Sequence, residues 1–280
     1  MEIICSDGYK LSADWHAAQG SSRGCIVISP ATGLRRSYYS AFAQFLSCSG
    51  WDVICFDNRG IGDSAQGPAS ASAARMRDWG QLDIDAALHS ACISQQGNWE
   101  RVTLLGHSSG GHLAGLAPAL SQIKRLILVA SGTCNWRLYP ASQKPRVLAA
   151  WWLLAPVILP SLGYLPARFG VGVDLPAGVA WDWRNWSVER DYLFSDVSLD
   201  SSGYARFAGR VAALSFTDDR GFSPPRTVHD LLRRFTQATV SHQEIAPMQG
   251  NTHRHIGHFG FFKTGNETLW RSALGTELAL

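Results

Sequence analysis

The strongest chemical signal in the sequence is the pentapeptide Gly106-His107-Ser108-Ser109-Gly110. An apolar run, Val102–Leu105, precedes it and reads as a strand, while a helical pattern is expected to continue over His112–Ser121. A serine placed on a sharp strand-to-helix turn has its hydroxyl pushed out at the end of a sheet. The flanking glycines remove side chains that would clash there. A helix N-terminus behind the turn favours developing negative charge. The chemistry such a serine performs is nucleophilic attack on an acyl carbon, which makes Ser108 the candidate nucleophile.

A turn of this kind needs a sheet beneath it, and the rest of the chain supplies the pattern. The 280 residues are 46% hydrophobic and 17% charged, with 25 basic and 22 acidic side chains. That balance excludes disorder as the main state. Lysines are few (Lys10, Lys124, Lys144, Lys263) and the arginines are scattered, so no basic stripe for nucleic acid is present. The six cysteines form no Cys-x-x-Cys pair, and the N-terminus lacks a basic and then apolar leader. A reduced, cytoplasmic protein is the expectation.

Short apolar runs alternate with amphipathic ones, as in a parallel sheet. Ile3–Cys5 and Lys10–Trp15 flank Asp7-Gly8 as a hairpin, and strands follow at Gly24–Ser29, Trp51–Phe56, Val102–Leu105, Arg125–Ala130, Val211–Phe216 and Thr239–Ile245. Helices are expected at Tyr38–Ser49, Ala74–Ser94, Pro224–Phe235 and near Phe261–Leu274. The fold class is therefore α/β, a doubly wound, mostly parallel sheet with an inserted helical cap. Residues 1–133 and 203–280 make the core domain and 134–202 the cap. Six of the eleven tryptophans fall in that insertion. Its uncharged run Val147–Pro166 is interrupted by Pro156, Pro160 and Gly163, which favours a cap helix over a bilayer span.

The chain resembles the α/β-hydrolase superfamily over nearly its whole length. The matching pieces are Ser29-Pro30-Ala31-Thr32-Gly33, Asp57-Asn58-Arg59-Gly60-Ile61-Gly62-Asp63-Ser64, the Gly106–Gly110 turn, Thr217-Asp218-Asp219 and Gly257-His258-Phe259, in the family's order. More narrowly it is similar to a bacterial group of uncharacterised serine hydrolases with a tryptophan-rich cap. The resemblance implies a triad acid after the strand that follows the cap, at Asp218 or Asp219. The family's proline four or five residues later favours Asp219, since Pro224-Pro225 follows.

Three histidines, His253, His255 and His258, compete for the general base. Glycine-flanked His258, ahead of an aromatic run, is placed to project over the serine. The resemblance also implies an oxyanion hole from the backbone N–H groups of Ser109 and Thr32, with Ala31 and Gly33 left open for the second donor. His107 is expected to pack under the turn. The histidine run around His255 lacks the aspartate of a metallo-β-lactamase zinc box, so no metal is expected. Gly60-Ile61-Gly62-Asp63-Ser64-Ala65 looks like a dinucleotide fingerprint, but Pro68 would break the helix such a site requires, so no cofactor is expected.

The expected activity is a serine hydrolase cleaving an ester, thioester or small amide through an acyl-enzyme. An acyltransferase and a non-catalytic binding protein of the same fold are the alternatives. Its partner would be a small-molecule acyl substrate. Trp151, Trp152 and neighbouring Leu153, Leu154, Val157 and Leu159 are expected to build an apolar acyl pocket above Ser108. The same run, flanked by Arg146 and Arg168, also suits a weak membrane-surface contact. The sequence leaves the oligomeric state open.

Overall fold

Runs such as Cys25-Ile-Val-Ile and Val-Ile-Cys-Phe are apolar on both faces, and both faces are buried. In the computed structural model, which describes residues 1–248 and 255–280, they become central strands of an eight-stranded sheet. The strands in chain order are β1 (Glu2–Ile4), β2 (Lys10–His16), β3 (Cys25–Ser29), β4 (Asp52–Phe56), β5 (Val102–His107), β6 (Arg125–Val129), β7 (Tyr164–Leu165), β8 (Leu175–Pro176), β9 (Arg210–Phe216) and β10 (Thr239–Ile245). The main sheet runs β1-β2-β4-β3-β5-β6-β9-β10, and β7 and β8 pair separately in the insertion. From β4 to β10 the neighbours are parallel, while β1 and β2 form the expected hairpin and join β4 antiparallel.

Side chains alternate between two cores, one on each face. Cys25 and Val27 of β3 enter one, Ile26 and Ile28 the other. Helix Ser40–Cys48 and the C-terminal helix Glu267–Leu278 cover the second core, where Phe42 stacks on Phe45 and meets Trp270 edge to face. A continuous helix over 76–94 covers the first, with a π-type stretch at Trp79–Ile84. There the indole of Trp79 donates to the Arg59 carbonyl at 3.1 Å, and buried Asp83 takes the Arg59 backbone N–H at 2.8 Å and its Nε at 2.6 Å. Asp57 in turn accepts the backbone N–H groups of Arg36 and Asp63. The glycine-rich stretch after β4 is thus a pinned turn with a short 3₁₀ segment at Gly62–Ser64.

Two expected helices are corrected. Over 112–121 the chain makes one α-turn, Ser109–His112, then 3₁₀ segments Ala114–Leu116 and Pro118–Gln122. The cause is local. The Tyr204 hydroxyl takes the His112 carbonyl, Leu116 N–H turns to Leu113 instead, and Pro118 brings no N–H. Near the C-terminus, the expected helix from Phe261 is a 3₁₀ turn at Gly260–Phe262, and the α-helix starts only at Glu267.

Between β6 and β9 lies a largely helical insertion. Its principal helix runs from Lys144 to Leu162, 19 residues, with a π-type stretch at Ala149–Leu154. It packs against helix Ala177–Val188, where Trp151 meets Trp183 edge to face at 4.9 Å. The insertion is seated on the core by Arg75 and Arg77, both of which reach buried Asp182.

Candidate active site

Strand β5 ends at His107, and the next residue turns back sharply. Ser108 has φ 53° and ψ −115°, a conformation an L-residue keeps only when its surroundings impose it. The imposition is visible. Ser108 N–H donates to the Val129 carbonyl of β6 at 3.0 Å, and Gly111 and His112 donate back to the Ser108 carbonyl. The glycines are required by contact rather than by dihedral. A Cβ on Gly110 would lie 2.2 Å from the Ser29 carbonyl oxygen, and one on Gly106 would lie 2.4 Å from Gly111 Cα. Gly110→Ala is therefore expected to destabilise the fold by about 1–3 kcal/mol or more and to displace Ser108. Thermal melting together with activity of the soluble fraction checks this. A variant with wild-type Tm would show that the turn tolerates the methyl group.

Three of the candidate residues come together in line. His258 Nε2 lies 2.8 Å from Ser108 Oγ, and His258 Nδ1 lies 2.6 Å from Asp219 Oδ2. Both His258 and Asp219 are buried. Asp219 also accepts the backbone N–H groups of Phe222 at 3.1 Å and Ser223 at 3.2 Å, which fix its carboxylate. Asp218 is occupied differently. Its Oδ2 accepts the N–H groups of Ile256 and Gly257 at 2.9 and 3.0 Å and pairs with His255 Nδ1 at 2.7 Å. The two aspartates divide the work, with Asp219 holding the histidine and Asp218 the loop that carries it. His255 is exposed and bound to Asp218, and His253 lies outside the described residues.

The residue before the serine does more than fill space. His107 is fully buried; its Nε2 is 2.9 Å from the His258 carbonyl and its Nδ1 is 2.9 Å from the Tyr39 hydroxyl. A carbonyl can only accept, so Nε2–H donates to it and Nδ1 accepts from Tyr39. Tyr39 in turn receives the Ala31 N–H at 2.9 Å. One chain of hydrogen bonds thus links the turn after β3, the serine turn and the histidine loop. It commits the Ala31 N–H, so of the three N–H groups the sequence offered in this turn, those of Thr32 and Gly33 remain. Among the described residues, neither Thr32 N–H nor Ser109 N–H bonds a protein acceptor.

Burial holds His107 neutral, well below its ordinary pKa, and the neighbouring His258 adds to the effect. His112 is depressed to about 3, again chiefly by burial, with its Nδ1 on the Gly132 carbonyl and its Nε2 on the Tyr192 hydroxyl. An unfolded histidine binds a proton near pH ~6.5, whereas these folded ones refuse it. Stability is therefore full above about pH 6.5 and is lost as pH falls toward 3, by at most about 1.4 kcal/mol per pH unit for each histidine. Denaturant titrations between about pH 7 and pH 4 read this out; a midpoint constant over that range would contradict it.

Sequence reading missed the aromatic walls of the site. Phe222 stacks on the His258 ring at 4.8 Å and Phe259 meets it edge-on at 4.8 Å. The Tyr139 hydroxyl, from the insertion, holds the Phe222 carbonyl at 2.6 Å. The signals were an aromatic residue three positions after the acid and another directly after His258. A cleft of about 450 Å³ opens beside the acid, lined by Leu138 and Pro140 of the insertion and by Thr217, Asp219 and Arg220 of the core.

Of the residues expected to build an acyl pocket, Trp151 packs on Trp183, while Trp152 and Leu154 are 55% and 46% exposed. Leu153 and Val157 are also exposed, and Leu159 is buried in the core. With Ala155 and Leu159 turned inward, the opposite side of the helix Lys144–Leu162 faces outward.

Among the described residues, one set of metal-ligand types clusters: His229, His242 and Glu244, with ligand atoms within 4.8 Å of one another. It lies on β10 and the helix Pro225–Leu232 and includes none of Ser108, Asp219 and His258.

The sequence profile of the alpha/beta hydrolase fold family matches residues 30–163. No curated protein sequence matches the chain. Solved structures agree in fold. A soluble variant of monoglyceride lipase from Saccharomyces cerevisiae superposes with a TM-score of 0.67 at 15% identity, covering 99% of this chain and 94% of that one. An esterase from Exiguobacterium antarcticum gives 0.61 at 14% identity, covering 100% and 99%. The Pyrococcus furiosus esterase PF2001 gives 0.63 at 16% identity, covering 100% and 89%. The protein has the α/β-hydrolase fold. The narrower bacterial group is not singled out by these comparisons.

Proposed function

We propose that the protein is a serine hydrolase that cleaves carboxylic esters or thioesters. The observation that carries the reading is the continuous hydrogen-bond line Ser108 Oγ, His258 Nε2, His258 Nδ1, Asp219 Oδ2 at 2.8 and 2.6 Å. In this reading Ser108 Oγ bonds to the acyl carbon while its proton passes to His258 Nε2. Asp219 holds Nδ1–H and stabilises the imidazolium. The carbonyl oxygen, now negative, is received by the N–H groups of Ser109 and Thr32, where one donor is worth ~2.7–4 kcal/mol. Collapse breaks the bond to the leaving group, which takes the proton from His258. Water then repeats the sequence on the acyl-enzyme and frees Ser108.

The esterases and the monoglyceride lipase among the structural neighbours support ester substrates. A panel of nitrophenyl esters of graded acyl length, with thioesters and peptides alongside, tests the assignment on the purified protein. Turnover of esters or thioesters is expected. Turnover of peptides alone, or of none of the panel, would count against it.

A further inference from the structure

The insertion presents its most apolar surface to water. Along the helix Lys144–Leu162, Trp152, Leu153, Leu154 and Val157 are 46–67% exposed and adjacent. A soluble protein rarely leaves such a contiguous patch uncovered without a partner for it. On the other side of the same helix, Ala155 and Leu159 are buried against the core. The helix is thus anchored to the core through its C-terminal half, at Ala155 and Leu159, and is read as docked on the protein rather than spanning a bilayer, although at ~1.5 Å per residue it is long enough to do so.

Charge selects among partners. From Cys134 to Val173 the chain carries four basic residues, Arg137, Lys144, Arg146 and Arg168, and no acidic one. Lys144, Arg146 and Arg168 form no ion pair among the described residues, and Arg146 and Arg168 are exposed. Exposed Phe169 sits under the Arg168 guanidinium, 5.4 Å from it. Apolar aromatic and leucine side chains next to unpaired cations are the composition that lies in an anionic lipid interface. A second protein surface would need carboxylates facing those cations to compensate the buried charge.

The helix is also tied to the site at both ends. Before it, Tyr139 bonds the Phe222 carbonyl beside His258. After it, the Val171 carbonyl lies against Gly33, so close that a Cβ there would stand 1.6 Å from its oxygen. The outer helix therefore bridges from the acid loop to the loop that carries Thr32.

We infer that this face is a monotopic docking surface for anionic bilayers, seating the protein with the triad at the lipid boundary. Docking needs no turnover. The corollary, that the substrate is an acyl ester carried in the membrane, rests on the proposed serine hydrolase reading.

The test is co-sedimentation of the full chain with phosphatidylglycerol-containing vesicles and with pure phosphatidylcholine vesicles. Beside it runs hydrolysis of a short, water-soluble nitrophenyl ester. Wild type and Ser108→Ala are expected to pellet equally with the anionic vesicles and less with the zwitterionic ones. Leu153→Glu/Val157→Glu should weaken anionic-vesicle binding at least ~10-fold, about 1.4 kcal/mol, with hydrolysis of the soluble ester unchanged. Arg146→Gln/Arg168→Gln should erase the preference for anionic lipid. The inference is overturned if wild type stays in the supernatant, or if the glutamate pair binds as tightly as wild type. It is equally overturned if sedimentation velocity shows a dimer that the glutamate pair disperses, since a second copy would then cover the face. Vesicle binding by a protein without esterase activity would leave docking intact and remove only the hydrolase reading.

Discussion

Ser108→Ala and His258→Ala are each expected to lower kcat for ester hydrolysis by at least ~10³-fold, with the double variant little worse than either single one. Members of a triad act as a unit, so removing one already removes the advantage of the others. The geometry gives the reason. His258 Nε2 has one acceptor-donor partner, Ser108 Oγ, and without the serine it has no proton to take. Without the histidine, Ser108 keeps its proton and is a weak nucleophile at neutral pH. The strained turn, the buried His107 and the proposed oxyanion donors remain in both variants, so substrate affinity should change far less than kcat. The check is a full kcat and KM measurement on an ester identified from the panel. Additive losses in the double variant would show that the two side chains act separately.

Asp219→Asn is expected to lower kcat by about 10⁴-fold with little change in folding, and Asp218→Asn by far less. The asparagine keeps the shape, but its amide can turn an N–H toward Nδ1 and stabilise the wrong tautomer of His258. Asp218 has no bond to that ring. It accepts the Ile256 and Gly257 N–H groups and pairs with His255, so its loss loosens the histidine loop rather than altering proton transfer. Its signature should be a lowered Tm with a modest kcat effect. The reverse ranking would show that the loop rearranges and that Asp218 is the partner in the working enzyme.

How far these assignments could be read from sequence depends on the range of the interaction involved. The Gly106–Gly110 turn is a local object, its glycines demanded by neighbours a few residues away or on the adjoining strand, and it was legible with its strand. The choice between Asp218 and Asp219 rested on proline spacing alone, because what separates them is which one meets His258 and which one meets the backbone of Ile256 and Gly257. The Tyr39–His107–His258 chain spans more than two hundred residues and leaves no local trace. Helix 112–121 failed for a similar reason, since the Tyr204 hydroxyl that takes the His112 carbonyl comes from 92 residues further along the chain. In the insertion, composition marked Trp151, Trp152 and Leu154 as apolar. It could not show that Ala155 and Leu159 would be the residues to face inward and leave Trp152 and Leu154 outside.

The claim at the centre is that Ser108 is an activated nucleophile. Treating the native protein with a fluorophosphonate and mapping the adduct by mass spectrometry tests it without knowledge of the substrate. One phosphonyl group on Ser108, absent from Ser108→Ala and slowed severely in His258→Ala, is the result this account predicts. An unlabelled native protein, or a label that persists in Ser108→Ala, would contradict it.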